Sequence, residues 1–276
     1  MTNLSLCVYY IHMQKLLAVD LDGTLFYPKK TNRCISKRNC KFLQKWIDLG
    51  NKVVLITSRS TTFIERLKNE IQRPFDYLTC NSANVSINGE LVRDISIPRD
   101  TIQDLVEKIN VECHPIGYLL TTKKYNLIIR NNLKRSKFLL FCYLIYHKLQ
   151  FKYREDYVLD NDVFDKELAE GDVQKMMIFF GLRKKNYDKA KAINKELRAK
   201  YPDAEFSWSN QVVELTPKNC NKGDGLEYYC NVSNISKDNV YVVGDSGNDI
   251  AMFNKFHEHS YCMAHSYPSV KKYAKH

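Results

Sequence analysis

Three short apolar runs, each followed directly by a polar cluster, constrain the fold of this chain most. The runs and the residues that follow them are residues 16–19 before Asp20, 53–56 before Thr57, and 240–243 before Gly244. Helical patterns lie between such runs, and this alternation is typical of a parallel sheet covered by helices. Because the carboxyl ends of parallel strands meet at one edge of the sheet, we expect the polar clusters to lie close together.

The middle of the chain follows a different pattern. Asn88-Gly89 separates two short strand-like runs, as in a tight antiparallel hairpin. Helical patterns follow at residues 101–111 and 187–200, and strand-like patterns at 127–130 and 176–180. We predict an inserted α+β domain over residues 84–208, and a parallel α/β domain formed by residues 1–83 and 209–276.

Residues that favour the starts and ends of helices occur in the predicted parallel α/β domain. Ser36 is predicted to cap a helix that ends before Gly50, and Thr61 or Thr62 to cap a second helix before Pro74.

Composition excludes several classes of protein. The nine cysteines are scattered without a disulfide or zinc spacing, which favours reduced thiols and a cytoplasmic protein. The apolar run at residues 138–146 is too short to cross a membrane, so no membrane partner is expected. Residues 1–12 are interpreted either as a loose extension or as lying before a natural start at Met13.

The formal net charge of +11 has two interpretations. Basic and aromatic residues interleave over residues 123–154, as they do in some nucleic-acid grooves. A solvated basic face on an aromatic-rich core accounts for the same pattern, and we prefer it to a nucleic-acid partner. Attraction of anionic, phosphorylated substrates is a milder functional interpretation. No oligomeric state is predicted.

The polar residues at the predicted edge suit phosphoryl transfer. Asp20 can attack phosphorus as a nucleophile, and Asp22 can protonate the leaving group and later activate water. Carboxylates from two strands provide the oxygen ligands that Mg²⁺ prefers. Lys222 adds positive charge, and the Thr57 hydroxyl with the loop amides can bind phosphoryl oxygens.

These motifs resemble those of the haloacid dehalogenase superfamily over nearly the whole chain. Asp20 to Thr24 reads Asp-x-Asp-Gly-Thr, Thr57 and Lys222 follow in order, and Gly244 to Asp249 reads Gly-Asp-x-x-Asn-Asp. Asn81-Ser82-Ala83, followed by the insertion, is similar to the Cof-type phosphatase subfamily. The resemblance implies a Rossmann-like core with an inserted α+β cap.

The resemblance also implies roles for individual residues. It implies Asp20 as nucleophile, Asp22 as acid/base, and Thr57, Ser58 and Lys222 as phosphate ligands. It implies Mg²⁺ ligation by Asp20, Asp22 through its main-chain carbonyl, and Asp245, with Asn248 and Asp249 in support. Arg59 and Asn81 are candidate substrate contacts. Ser58 and Ser82 stand where the family usually has glycine, and serine tolerates fewer backbone conformations.

The expected function is therefore Mg²⁺-dependent hydrolysis of phosphorylated small molecules, with sugar phosphates favoured, through an aspartyl-phosphate. A sugar-phosphate mutase of the phosphomannomutase type is the alternative, because it shares these motifs. A non-catalytic nucleic-acid or regulatory binding protein is a third reading. The presence of Asp20, Asp22, Lys222 and Asp245 argues against it, since a binder does not need all four.

Overall fold

The computed structural model of the protein describes residues 14–28, 33–131, 145, 155–181, 185–209 and 212–276. Within these ranges, no helix combines the length and the apolar character needed to span a membrane. The strands are β1 Leu16–Asp20, β2 Lys52–Ile56, β3 Asp76–Thr79, β4 Asn84–Ile87, β5 Glu90–Asp94, β6 Gly117–Thr122, β7 Ile128–Asn131, β8 Val158–Leu159, β9 Val173–Phe179, β10 Ala204–Ser209, β11 Val212–Pro217, β12 Val240–Gly244 and β13 Ser260–Cys262.

The helices match most of the predicted patterns. They are α1 Lys37–Asp48, α2 Thr61–Ile71, α3 Arg99–Cys113, α4 Asn161–Glu170, α5 Lys185–Lys200, α6 Lys222–Val232, α7 Ile250–Lys255 and α8 Pro268–Lys271. The Ser36 side chain accepts a hydrogen bond from the Asn39 amide, so the predicted cap of α1 is confirmed. Helix α2 differs from the prediction, because it begins at Thr61 and Ser60 takes the capping position.

A seven-stranded sheet forms the first half of the structure, in the order β13-β12-β1-β2-β3-β4-β5. Strands β13, β12, β1, β2 and β3 run parallel, as the alternating pattern predicts. Strand β1 lies between β12 and β2 and is buried along its whole length. Its position places Asp20 between the ends of two neighbouring strands.

Alternating side chains bury both faces of this sheet. On one face, Leu17 and Val19 pack with residues of α1 and α2 such as Leu43 and Phe63. On the other face, Leu16 and Ala18 pack with residues of α6 and α7, which include Leu226, Tyr229, Met252 and Phe253. The double burial explains why these strands read as continuous apolar runs.

A second sheet of six strands has the order β10-β11-β9-β6-β7-β8. Its pairs are antiparallel except for β7 with β8. Residues of α3, α4 and α5, among them Leu105, Phe164 and Ile193, cover one apolar face. This is the α+β arrangement expected of the inserted segment.

The strand pairing moves both predicted domain boundaries towards the carboxyl terminus. The β4–β5 hairpin pairs with β3 and so belongs to the first sheet, although the prediction began the insertion at residue 84. Strand β11 pairs with β9 in the second sheet, although the prediction ended the insertion at residue 208. Local alternation identifies a hairpin but not the sheet that it joins. The division into two domains remains a proposal, in which the chain leaves the first domain after β5 and returns to it after β11.

Some predicted features lie outside the described residues. These are residues 1–12 and most of the apolar run at 138–146. Much of the basic region at 123–154 also falls there.

Candidate active site

The register of the first sheet brings the predicted clusters to one edge. Asp20 is opposite Ile56 of β2, so Thr57 follows at the neighbouring strand end. Val19 is opposite Val243 of β12, so Asp245 leaves the sheet on the other side of Asp20. The predicted meeting of these segments is therefore confirmed by strand pairing.

Lys222 joins this edge from the first turn of α6. Its Nζ donates to Asp20 Oδ1 at 2.7 Å and to Asp249 Oδ1 at 2.6 Å. All three side chains are at least 95% buried, so the ion pairs lie away from solvent. Asp20 Oδ2 is also buried and has no hydrogen-bond partner among the described residues. The nucleophile candidate thus has one fixed and one uncommitted oxygen.

Burial governs the electrostatics of this cluster. Burial raises the pKa of Asp20, the nearby Asp249 and Asp245 carboxylates raise it further, and the Lys222 ammonium lowers it. Burial alone would lower the pKa of Lys222, but Asp20 and Asp249 outweigh that effect and raise it. The two carboxylates therefore favour the charged form of Lys222, and the carboxyl groups around it outnumber it.

Asp245 is held against the loop that follows β1. Thr24 Oγ1 donates to Asp245 Oδ1 at 3.2 Å. Gly23 has φ +84°, and a Cβ at this position would lie 2.2 Å from Asp245 Oδ2. Both the left-handed backbone and the close carboxylate require glycine here.

Replacing Gly23 by alanine should therefore displace Asp245. We expect a loss of about 10²-fold in kcat/KM, because small displacements of catalytic groups cost that much. Gly89→Ala is the matched control, since Gly89 has φ +86° but no atom within 4 Å of the added Cβ. Both variants bear the same backbone strain, so equal activity in the two would contradict a role for the Gly23–Asp245 contact.

Asp249 organises the loop after β12. Its Oδ2 accepts from the backbone amides of Asp245 and Ser246, each at 2.9 Å. Ser246 Oγ donates to Asn248 Oδ1 at 2.7 Å. These bonds order the loop that carries Asp245, and support of a metal by Asn248 and Asp249 stays a prediction.

The carboxylates form a group that fits a divalent metal. Asp20, Asp245 and Asp249 each offer an oxygen within 4.8 Å of the others. The unpartnered Oδ2 of Asp20 and the excess of carboxyl groups over cations both suit a hard cation with oxygen ligands. Asp249 already uses both oxygens in hydrogen bonds, so Asp20 and Asp245 are the freer ligands.

Asp22 and Arg59 form a two-pronged ion pair. Arg59 Nε donates to Asp22 Oδ2 at 2.6 Å, and Nη2 donates to Oδ1 at 2.7 Å. The guanidinium lies 4.2 Å from the centre of the Phe63 ring. Arg59, predicted as a substrate contact, therefore holds the predicted acid/base; contact with substrate stays a prediction.

The loop after β2 carries the predicted phosphate ligands. Thr57 is buried, and its Oγ1 accepts from the Arg59 amide at 3.1 Å. The Ser58 carbonyl accepts from Lys175 Nζ. Ser60 accompanies them at the start of α2. This turn therefore connects Thr57, a predicted phosphate ligand, to Arg59, which holds Asp22.

Asn81, the other predicted substrate contact, lies at a junction between the sheets. Its Nδ2 donates to Glu214 Oε2 of β11 at 2.8 Å. Its Oδ1 is buried without a hydrogen-bond partner in the described ranges. Cys80, Asn81 and Ser82 all have positive φ, so the serine at the usual glycine position adopts a backbone that glycine favours.

Sequence reasoning missed four residues near the edge. Lys175 and Glu155 reach the loop after β2 from the second half of the fold. Glu214 bonds Asn81, and His265 Nε2 lies 3.9 Å from Asp245 Oδ2. Each is distant in sequence from the motif that it contacts, and no local pattern signals such a contact.

Comparisons with known proteins agree with this geometry. A family model described as haloacid dehalogenase-like hydrolase matches residues 17–276. A Bacillus subtilis (strain 168) protein named 5-amino-6-(5-phospho-D-ribitylamino)uracil phosphatase YwtE is 23% identical over 253 residues, covering 87% of this chain and 84% of that protein.

Solved structures show the same fold. A haloacid dehalogenase-like hydrolase from B. subtilis has a TM-score of 0.75 and 19% identity, covering 95% of this chain and 93% of its own. A HAD subclass IIB sugar phosphatase has a TM-score of 0.72 and 20% identity, covering 95% and 92%. The chain therefore belongs to the haloacid dehalogenase-like hydrolases, as an enzyme of the phosphoric monoester hydrolase type.

Proposed function

We propose that this protein is a magnesium-dependent phosphatase that hydrolyses phosphomonoesters of small metabolites through a phosphorylated Asp20. The observation that carries the proposal is the state of the Asp20 carboxylate. One oxygen is fixed by Lys222, and the other is buried and unpartnered among the described residues, while an oxygen of the same carboxylate lies within 4.8 Å of oxygens of Asp245 and Asp249. A nucleophile needs this combination of fixed orientation and an available lone pair.

In the first step an Asp20 oxygen forms a bond to phosphorus, and the bond from phosphorus to the leaving oxygen breaks. Asp22 donates its proton to that oxygen, which leaves as an alcohol. Thr57, Ser58 and Lys222 bind the phosphoryl oxygens and stabilise their charge. In the second step Asp22 takes a proton from water, the water oxygen attacks phosphorus, and phosphate leaves as the Asp20 carboxylate is restored.

The pairing of Asp22 with Arg59 suits the second of these steps. Both Asp22 oxygens accept from the guanidinium, which favours the carboxylate form that acts as a base. The first step uses the protonated form of Asp22, so one of the two hydrogen bonds from Arg59 has to break when substrate binds. The 44% exposure of the Asp22 side chain leaves room for that movement.

Mg²⁺ would be held by Asp20, Asp245 and the main-chain carbonyl of Asp22, with Asp249 and Asn248 supporting the loop. When bound, it supplies positive charge between the anionic nucleophile and the anionic phosphoryl group. The donor set is entirely oxygen, which is the set that Mg²⁺ prefers.

For the substrate we propose phosphorylated sugars and their derivatives. The B. subtilis relative is named for a phosphoribityl compound, and one structural neighbour is described as a sugar phosphatase. We also propose that the protein acts in the cytoplasm. The described cysteines are all free thiols, which suits a reducing compartment.

A phosphate-release assay tests this function. The protein would be offered hexose, pentose and polyol phosphates, nucleotides, flavin mononucleotide and pyridoxal phosphate. We expect release from at least one sugar-type member with Mg²⁺ and a fall to background with excess EDTA, restored by added Mg²⁺. Turnover that is unaffected by EDTA would contradict the metal, and no turnover of any member would contradict the phosphatase proposal. Phosphate retained on a new position of the sugar would instead identify a mutase.

A further inference from the structure

The turn over residues 57–60 links two parts of the proposed mechanism. Thr57 Oγ1 accepts from the Arg59 amide, so the phosphate ligand and the arginine share one local geometry. The Thr57 amide donates to Leu78 O, and the Thr57 carbonyl accepts from the Asn81 amide. These bonds fix the first residue of the turn to β3 and to the segment that follows it. They do not fix the Ser58 peptide.

A side chain from the second sheet bonds the Ser58 peptide. Lys175 lies on β9, is 3% exposed, and donates from Nζ to the Ser58 carbonyl. Among the described residues it takes part in no ion pair closer than 4.0 Å. A buried ammonium is costly unless its hydrogen bonds are satisfied, so this contact is its principal compensation.

Neighbouring contacts seat β9 on the first sheet. Gln174, next to Lys175, donates to Asn84 Oδ1 and Asp94 Oδ1, each at 2.7 Å. On the other side of the turn, Glu155 accepts from the Ser60 amide at 2.8 Å and from Ser60 Oγ at 2.7 Å. The turn is thus held from two sides by residues outside the parallel sheet.

We propose that Lys175 is a positioning residue for the phosphatase reaction. Backbone bonds hold Thr57, and the Arg59 carbonyl accepts from the Cys80 amide, so the Ser58 peptide between them is the part of the turn that Lys175 fixes. Through that peptide it supports the orientation of Thr57 towards phosphate and of the Arg59 side chain towards Asp22. Its bond forms only when the second sheet is seated on the first, so seating of that sheet and geometry of the turn are coupled. This inference rests on the proposed function and extends it to a residue outside the predicted phosphate and metal ligands.

Lys175→Met tests the proposal, because methionine keeps most of the side-chain volume but removes the donor. Lys123→Met is the matched control: Lys123 also bridges the sheets, through Asp94 at 3.0 Å, but does so at the surface. We expect Lys175→Met to lower kcat by about 10²-fold, the cost of a misplaced catalytic group, while KM stays within about threefold. The inhibition constant of orthovanadate, a transition-state analogue, should rise by at least about tenfold.

Lys175→Arg should recover most of the kcat, since the guanidinium can also donate to a carbonyl. Wild-type kcat and vanadate inhibition in Lys175→Met would overturn the inference. So would an equal loss in Lys123→Met, because that would reflect general contact between the sheets. If Lys175→Met lacks a cooperative thermal transition, Lys175→Arg and Lys175→Gln replace it. A lower kcat in Lys175→Gln than in Lys175→Arg supports the role, and equal kcat values in these two variants overturn it. Failure of the wild-type protein to release phosphate would count against the proposed function instead.

Discussion

Asp20→Asn protein is expected to lose at least about 10⁴-fold of its phosphate-release activity, in the range found for removal of a nucleophile. The amide is nearly isosteric with the carboxylate, so it can keep the Lys222 contact through its oxygen. It is a much weaker nucleophile and carries no charge to share with a metal. Folding should be preserved, because the change also removes a carboxylate from a buried cluster in which carboxylates raise one another's pKa.

Asp48→Asn is the control for this experiment. Asp48 pairs with Arg73 at the surface, and its side chain is 53% exposed, so its loss should leave activity unchanged. In wild-type protein, acid quenching during turnover should trap one phosphoryl group on Asp20, detected as a mass increase that hydroxylamine removes. Activity that survives in Asp20→Asn, or a phosphoryl group trapped elsewhere, would refute the mechanism.

Lys222→Met should damage both stability and catalysis. It removes the cation that bonds Asp20 and Asp249, so two buried carboxylates lose their counter-charge. Breaking such a buried pair typically costs about 3–5 kcal/mol in the free energy of unfolding. The loss of charge beside the phosphoryl group should lower kcat by about 10²- to 10³-fold.

Lys255→Met is the control that separates the effect of burial on stability from the effect of ion pairing. Lys255 also contacts two carboxylates, those of Asp224 and Glu227, but its side chain is 31% exposed. Its loss should cost less than about 1 kcal/mol and leave kcat unchanged. Denaturant unfolding of both variants, with and without Mg²⁺, is the measurement. We expect Mg²⁺ to recover part of the stability lost in Lys222→Met, because it binds only the folded site. Equal destabilisation of the two variants would contradict a special role for Lys222.

The central strands were predictable because burial on both faces leaves an unmistakable pattern. Strands β1, β2 and β12 are apolar runs that stop where their side chains reach the edge, as at Asp20. The turn residues Asn88-Gly89 predicted the hairpin equally well, but they did not predict which sheet the hairpin joins. Antiparallel pairing of β4 with β3 depends on contacts that the local sequence does not encode.

The residues of the candidate site divide in the same way, into those that local sequence predicts and those whose contacts depend on packing. Asp20, Lys222 and Asp245 were identified from motifs, since each lies where a strand ends or a helix begins. The partner of Arg59 and the contact of Lys175 with Ser58 were not, because both depend on how separate segments pack. Asn81 shows the limit well: the sequence places it at the edge, but only the fold reveals its bond to Glu214.

The distance along the chain between bonded groups has a consequence for synthesis. Lys222 is 202 positions from Asp20, and Thr24 is 221 positions from Asp245. A ribosome therefore exposes Asp20 long before it makes the lysine and the second carboxylate. Contacts of such long range form late, since the closure of a large loop must come first. On the proposed function, we therefore expect a nascent chain that lacks Lys222 and Asp245 to release no phosphate, so hydrolysis begins only after the last strands of the first sheet have paired.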